Sequence, residues 1–318
     1  MPLKYGFIMV SNAEKYKILI IGGSGLIGRA LTEHLEHQGH EVSWLGRHAN
    51  HTSHRKSYEW DLQAGTYDPH AFQDVDIFIN LAGSSISDGL WTAKKKLDIL
   101  NSRTAAIELL LIGLHSSANR PQLIINGSAI GYYGSQPLAK LDESSSPGSN
   151  DILSQIVKKW EAKAEDLSSY TERLVIARTG LVLSNKGGLW TKLLMTKVIR
   201  LFNWFGNGHQ MYSWIHIDDY CKAISFIITH QSICGPVNLT SPNPCSQKNL
   251  IQSIRANLYS ISFGFAIPVF ALKMFLGDLA SMLMTDACVL PNKLVQQGFQ
   301  FDYPTIDQAV QKLMKSIY

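Results

Sequence analysis

The feature that most constrains this chain is Gly22-Gly23-Ser24-Gly25-Leu26-Ile27-Gly28, set between a strand pattern and a helix pattern. Upstream, Lys17-Ile-Leu-Ile-Ile21 is a short β-branched run of the kind buried on both faces of a parallel sheet. Downstream, Leu26, Ile27, Ala30, Leu31 and Leu35 mark one face of a helix over 26–38, stopped near Gly39. Between a strand and a helix, G-x-G-x-x-G is a dinucleotide-binding turn. Its glycines let the backbone take unusual dihedrals and come close to a pyrophosphate. Gly28 permits tight helix–strand packing, and the helix N-terminus offers N–H groups and the positive end of its dipole.

The same alternation continues. Glu41–Leu45, Ile77–Leu81, Leu123–Asn126 and Arg173–Ala177 read as strands, separated by helices over about 92–117 and 151–167. Repeated β-α-β units imply a parallel sheet with helices on both faces, a doubly wound, Rossmann-type α/β fold. After Arg178 the pattern loosens into Gly, Trp and Phe clusters. The expected division is a dinucleotide-binding domain over 16–185, completed by about 215–240, and a smaller α+β substrate lobe from 186–214 and 241–318. Phe263–Leu276 is the most apolar late run; Pro268, Lys273 and its length exclude a bilayer span, so it reads as a core or groove-lining helix.

The balance of 29 basic against 25 acidic residues argues against a nucleic-acid partner. Cys221, Cys234, Cys245 and Cys288 form no framework, which fits reduced thiols and a cytoplasmic location, and the lack of a convincing secretory or transmembrane segment argues against a membrane partner. Met9 is a candidate alternative start. The His48, His51, His54 spacing offers no clear carboxylate or thiolate partner, so no metal is expected.

The end of the second strand selects the dinucleotide. An NAD site usually places Asp or Glu there. This sequence reads Leu45-Gly46-Arg47-His48, with Arg55 and Lys56 following, so NADP(H) is the expected cofactor and Arg47 the partner of its 2′-phosphate. A solvated surface arginine is the competing reading.

These residues resemble the extended short-chain dehydrogenase/reductase superfamily, and more closely its atypical "epimerase family" branch, whose members carry a C-terminal domain of unknown function. The resemblance runs from about Lys17 to Lys312 through GGSGLIG at Gly22, WDL at Trp60, NLAG at Asn80, NSR at Asn101, GSAIGYYG at Gly127, RTGLVL at Arg178, SWIHIDD at Ser213, NLTSPNP at Asn238 and VLPNKLVQQGFQFDYPT at Val289. It implies that Asp61 and Leu62 sit beside the adenine, and that Leu81, Ala82 and Gly83 line the cofactor's middle. Asn101 would brace the neighbouring helix. Arg178, Thr179, Gly180 and Leu181 would border the nicotinamide ribose, and Ser128 would hydrogen-bond a substrate carbonyl or alcohol. A homodimer through a helix pair is a habit of the superfamily.

Two departures bear on activity. The superfamily's acid/base pair is Tyr-x-x-x-Lys on the helix after Ser128, where Lys lowers the phenol's pKa. Aligning Glu161 with the family's glutamate puts Leu153 and Val157 at those positions, and other registers supply Ser154 or Gln155. Tyr132 and Tyr133 are then the nearest phenols to Ser128; Tyr133 is a candidate proton donor, with a wall aromatic as the competing reading. Lys158 and Lys159 read as helix surface charges. Second, Tyr212 stands where sugar-nucleotide epimerases commonly place a diphosphate-binding Arg. Trp190, Trp204, Phe205 and Trp214 suggest an aromatic pocket wall or, equally, lobe core. His216 and Asp218 read as fixing the following helix, with Asp218 or Asp219 placed to cap it. The expected function is an NADP(H)-dependent oxidoreductase or epimerase-like enzyme on a small carbonyl or alcohol. The alternative is a non-catalytic NADP(H)-binding sensor or regulatory protein.

Overall fold

A computed structural model describes residues 14–49, 55–86, 89, 91–148, 151–195, 200–258 and 263–315. Met9, His51 and His54 lie outside these described residues. In chain order the first elements are β1 (Lys17–Ile21), α1 (Leu26–His37), β2 (Glu41–Gly46), β3 (Ser57–Asp61), β4 (Thr66–Tyr67), β5 (Ile77–Asn80), α2 (Ala93–Ser117), β6 (Leu123–Ala129), β7 (Lys140–Leu141), α3 (Ile152–Ala164) and β8 (Arg173–Thr179). There follow β9 (Leu181–Ser184), β10 (Gly187–Gly188), α4 (Leu189–Leu193), β11 (Leu201–Phe205), β12 (Met211–Tyr212), β13 (Trp214–His216), α5 (Ile217–Thr229) and β14 (Gly235–Leu239). The last are β15 (Cys245–Ser246), α6 (Gln247–Leu258), β16 (Phe263–Ile267), α7 (Val269–Leu276), α8 (Asp278–Leu283), β17 (Cys288–Val289), α9 (Asn292–Gln296) and α10 (Ile306–Lys315).

The main sheet has eight strands in the order β14-β8-β6-β5-β1-β2-β3-β4, parallel throughout except for the antiparallel β3–β4 pair. Alternation of side chains across each strand divides the core in two. Ile18 and Ile20 of β1 join Leu31 and Leu35 of α1 and Ile224 and Ile227 of α5 on one face. Leu19 and Ile21 join Ile107 and Leu110 of α2 and Ala164 of α3 on the other. The chain order reverses between β5 and β1, so a crevice forms beyond their carboxyl ends, where doubly wound sheets bind ligands. Gly22, Leu81 and Ser128 all lie at that edge.

A further core cluster, apart from the two that flank the sheet, gathers Trp190, Phe202, Trp214, Leu250, Ile254, Val310 and Leu313 from the region expected to form the smaller lobe. It is stitched to the sheet at several points. β17 pairs with β7, the Ser213 hydroxyl donates to the Ala287 carbonyl and accepts from the Val289 N–H, and the Asp219 carboxylate accepts the N–H groups of Asp302 and Tyr303. The expectation of one core or groove-lining helix over Phe263–Leu276 is corrected. Phe263–Ile267 is a strand paired with β11, α7 follows it, and Leu272 is the only buried residue of α7. Its two β-branched residues, Ile267 and Val269, flank Pro268, which breaks any continuous helix.

Candidate functional site

The turn after β1 is shaped by close approach. Gly22 has φ +82°, a left-handed conformation that favours glycine, and its N–H donates to the Leu45 carbonyl at 3.1 Å. A Cβ on Gly28 would lie 2.5 Å from the Gly22 carbonyl oxygen and 2.7 Å from Gly23 Cα, so a side chain there would fill the turn. The first turn of a helix has N–H groups without main-chain acceptors, and Gly25, at the N-cap, supplies no side chain to bind them. No acidic residue lies in that first turn either. Thr32 stiffens the arrangement by donating to the Gly28 carbonyl at 2.7 Å while accepting from Trp44 Nε1 at 2.8 Å. Ser24 and Gly25 are exposed, and Leu26 and Ile27 are half-buried. The lobe reaches this turn through Gly188, where a Cβ would stand 3.2 Å from Leu26 Cδ2. The cradle fits a dinucleotide pyrophosphate: it is open to solvent, lined by N–H groups and too tight for any residue but glycine at Gly28.

Beyond β2, Arg47 is exposed. Arg55, by contrast, is committed: its guanidinium donates twice to Glu36, at 2.7 Å each, and lies 4.7 Å from the Trp44 ring centre. Lys56 pairs with Glu41. The nearby acid is Glu59 on β3, opposite Gly46, and its carboxylate accepts the Ala49 N–H at 2.9 Å. Asp61 is exposed, and its carboxylate accepts the N–H groups of Gln63 and Ala64, bonds that lower its pKa; Leu62 packs at the edge of the core.

Leu81 and Ala82 follow β5 in main-chain contact with the centre of the sheet. The Leu81 N–H donates to Ile21, and the Ala82 N–H to the Asn80 side chain. Asn80 in turn donates to Asn126 on β6 at 2.8 Å, a buried amide pair in register across two strands. The helical brace falls to Ser102 and Arg103, not to Asn101, which is exposed. Ser102 accepts the Ser84 N–H, and Arg103 donates to the Ser84 and Ile99 carbonyls. The Arg103 guanidinium lies 4.9 Å from the Trp160 ring centre and also limits Gly83, where a Cβ would meet it at 2.9 Å; burial pulls its pKa down to about 10.

The carboxyl end of β6 is different. Ser128 is buried, and its hydroxyl donates to Glu161 Oε1 of α3 at 2.5 Å. Arg178, at the end of β8, donates to both oxygens of Glu161 at 2.9 and 2.8 Å and to the Tyr133 hydroxyl at 2.9 Å. Tyr133 donates to Asn238 on β14, whose amide donates to the Leu290 carbonyl. Burial disfavours the charged guanidinium, but the bonds to Glu161 outweigh it and hold the Arg178 pKa above its ordinary value. Tyr132 completes the enclosure with its ring 3.5 Å from the Arg178 guanidinium. Gly180 is fixed by packing: a Cβ there would meet the Ser213 carbonyl oxygen at 2.5 Å.

Several expectations change here. Tyr133 is fully buried with both hydrogen-bonding directions used, and burial pushes its phenol up to about 12, so it is a structural anchor and not a proton donor at a surface. Leu153 and Val157 do face the β6 end: a Cβ on Gly131 would meet Leu153 Cγ at 2.8 Å and Val157 Cγ2 at 3.4 Å. Lys158 is half-buried and Lys159 exposed on the same helix. Trp190 and Trp214 are fully buried lobe core and do not wall a pocket; Trp204 and Phe205 are half-buried. Tyr212 is buried, donates to the Leu283 carbonyl, and has its pKa raised by desolvation. The α5 cap is His216, whose Nδ1 accepts the Asp218 N–H at 3.1 Å, and not Asp218 or Asp219. Sequence reasoning missed the Asn80–Asn126 pair and the length of the Arg178 network. Two Asn residues closing neighbouring apolar strands were a readable signal for the first.

The profile of the NAD dependent epimerase/dehydratase family matches residues 18–239, and that of a domain of unknown function (DUF1731) matches residues 267–313. The epimerase family protein YfhF of Bacillus subtilis is 32% identical over 298 residues, covering 93% of this chain and 97% of that protein. The crystal structure of human epimerase family protein SDR39U1 with NADPH superposes with a TM-score of 0.85 at 28% identity, covering 94% of this chain and 99% of that one. A nucleoside-diphosphate sugar epimerase of Corynebacterium glutamicum gives a TM-score of 0.73 at 27% identity, covering 94% of this chain and 58% of its own.

Proposed function

Starting from the premise that this chain belongs to the NAD dependent epimerase/dehydratase family, we propose that it binds NADP(H) across the β1–α1 turn and acts on a small carbonyl or alcohol. The observation that carries this reading is the conjunction of an uncapped, glycine-tight helix N-terminus with a hydroxyl, Ser128, on the carboxyl edge of the same sheet. Gly22 to Gly28 would hold the pyrophosphate by main-chain N–H groups. Leu81, Ala82 and Gly83 would carry the middle of the cofactor by backbone contact, and Arg47 would meet a 2′-phosphate. NADPH in the human relative's structure supports the choice of NADP(H). When bound, the cofactor supplies or accepts hydride at its nicotinamide.

Ser128 would meet the reacting oxygen. Its hydroxyl proton points to Glu161, leaving its lone pairs to accept from a substrate alcohol. To donate to a carbonyl it must turn away from Glu161, which stays balanced by its two bonds to Arg178 while it does. Leu153 and Val157 keep that side apolar, so substrate orientation would rest on Ser128 and on shape.

A second reading, a non-catalytic NADP(H)-binding sensor or regulator, is favoured by one specific observation: Leu153 and Val157, the residues that align with the superfamily's Tyr and Lys, present apolar side chains to Gly131 at the β6 end. One experiment separates the two. Stripped protein is titrated with NADPH and NADH, and carbonyl and alcohol panels are then screened by nicotinamide absorbance. NADPH is expected to bind more tightly, and Arg47→Asp to weaken NADPH about tenfold, or about 1.4 kcal/mol, with little change for NADH. Ser128→Ala is expected to abolish turnover and spare binding. Binding without turnover across the panel favours the sensor, and no binding of either dinucleotide removes both readings.

A further inference from the structure

Arg55, Arg178 and Arg173 show how this fold answers an enclosed guanidinium. Arg55 grips Glu36, and Arg178 grips Glu161, each through the edge formed by Nε and Nη2. Arg173 caps the carboxyl end of α5, donating to the carbonyls of Ile227, Ile228, His230 and Ile233. Arg103 of α2 has neither answer. Only its Nη1 is engaged, on the Ser84 and Ile99 carbonyls. The Nε–Nη2 edge, with three N–H groups, has no acceptor among the described residues, and no carboxylate there pairs with it. Burial is the one influence on its pKa, and it acts against the charge.

The guanidinium is nevertheless held in place. It lies 4.9 Å from the Trp160 ring centre, and Gly83 has no side chain to push it away: a Cβ there would stand 2.9 Å from Cζ and 3.2 Å from Nε. Trp160 Nε1 is itself buried without an acceptor, so this corner is rich in donors.

Strand order places the corner. The sheet runs β6-β5-β1-β2. With NADP(H) bound as proposed, the pyrophosphate lies at the end of β1 and the 2′-phosphate beyond β2. Arg103 stands on the other side, between the segment after β5 and Trp160, whose neighbour on α3, Glu161, holds Ser128 at the end of β6. The cofactor's phosphates therefore fall on the β1–β2 side and give Arg103 no partner.

We propose that Arg103 binds an oxyanion carried by the substrate, a carboxylate or a phosphate, so that the small carbonyl or alcohol taken here is an acidic one. The proposal rests on the NADP(H) reading above. The Nε–Nη2 edge presents parallel N–H groups that match two oxygens of either group at once. With Ser128 at the reacting oxygen, this second point fixes which way round the substrate lies.

Calorimetric titration of the NADP⁺-loaded protein tests this, because the turn is then filled and a carbonyl cannot be reduced. The probes are glyceraldehyde 3-phosphate against glyceraldehyde, and pyruvate against acetone. In at least one pair the acidic member is expected to bind at least about tenfold more tightly than its neutral partner, and inorganic phosphate to compete with it. Arg103→Met should remove the difference and keep NADP⁺ affinity within about twofold of wild type; Arg103→Lys, which keeps the charge without the edge, should retain part of it. If Arg103→Met misfolds, Arg103→Lys and the wild-type pairs carry the test. Equal binding within both pairs overturns the proposal, as does a preference that the Arg103 variants leave intact. A parallel loss of NADP⁺ binding in Arg103→Met assigns the charge to the cofactor and overturns it too. Failure of the wild type to bind NADP⁺ shows before any probe is added, and removes the cofactor reading together with this one.

Discussion

Strands β1 and β6 end at the same edge of one sheet, yet their ends are held in opposite ways. After β1, the geometry is made by main chain against main chain: Gly28 against the Gly22 carbonyl, and the Gly22 N–H on Leu45. No acidic side chain lies in the first helical turn, the Arg29 guanidinium donates to the Ser24 carbonyl, and the first-turn N–H groups are left without a capping side chain. After β6, side chains do the holding, and a buried ion pair satisfies itself through Ser128, Glu161, Arg178, Tyr133 and Asn238. A site that keeps its polar groups unspent is built to receive a ligand. One that spends them internally holds its shape, and here leaves only the lone pairs of the Ser128 hydroxyl for a substrate.

Perturbing each end should therefore fail differently. Glu161→Ala leaves the Arg178 guanidinium buried without its charge partner and is expected to cost about 3–5 kcal/mol in urea denaturation. Glu161→Ala combined with Arg178→Met should recover most of that. If the single change costs under about 1 kcal/mol, water has replaced the carboxylate and the contrast between the two ends is gone.

His216 sharpens the comparison, because it does for α5 what Gly25 leaves undone for α1. Burial holds its pKa down to about 4. The unfolded side chain titrates near 6.5, so as pH falls the unfolded state takes up the proton first. Stability present above about pH 6.5 should decline by up to about 3 kcal/mol on approaching pH 4 and then level off. Asp218, Asp302 and Lys312 act on the same group. His216→Asn, which keeps a capping oxygen, should flatten that part of the pH profile, read from urea midpoints at pH 7 and 5. An unchanged slope would assign the acid sensitivity elsewhere.

The smallest expected effect falls on the main-chain-built end and shows in binding. Gly28→Ala forces the turn apart by one methyl group and should weaken NADPH about a hundredfold, or about 2.7 kcal/mol, with the ion-pair network unchanged and the thermal midpoint lowered by the strain of a Cβ against the Gly22 carbonyl. Wild-type affinity in that variant would mean that the turn yields, and that it is no more rigid than an ordinary loop.

The same contrast explains what the sequence made legible. Glycine spacing, β-branched runs and helical periodicity are local signals, and they made the doubly wound sheet and the turn legible, while the resemblance to the superfamily pointed to Leu153 and Val157 in place of Tyr and Lys. Ser128 could be placed on its strand, but the partner of its hydroxyl could not, because Glu161 and Arg178 come from separate elements and nothing local says that they meet. The aromatic residues were ambiguous for a related reason: Trp190 and Trp214 became core only once α6 and α10 closed over them. Phe263–Leu276 misled in the other direction. Its apolar character suggested burial, while Pro268 and the pairing of Phe263–Ile267 with β11 turn its bulky groups outward.

The span of the Arg178 network also sets an order of assembly. A chain growing from its amino end delivers Ser128, Glu161 and Arg178 early. Asn238 and the Leu290 carbonyl, which lock Tyr133 in place, follow up to roughly a hundred residues later, several seconds at ordinary translation speed. Until then the nascent domain has an edge of its sheet unfilled, since β14 is still to be made. The last third of the polypeptide is therefore the latch of the first two-thirds, and a prematurely terminated chain would present quality-control proteases with a half-closed nucleotide fold.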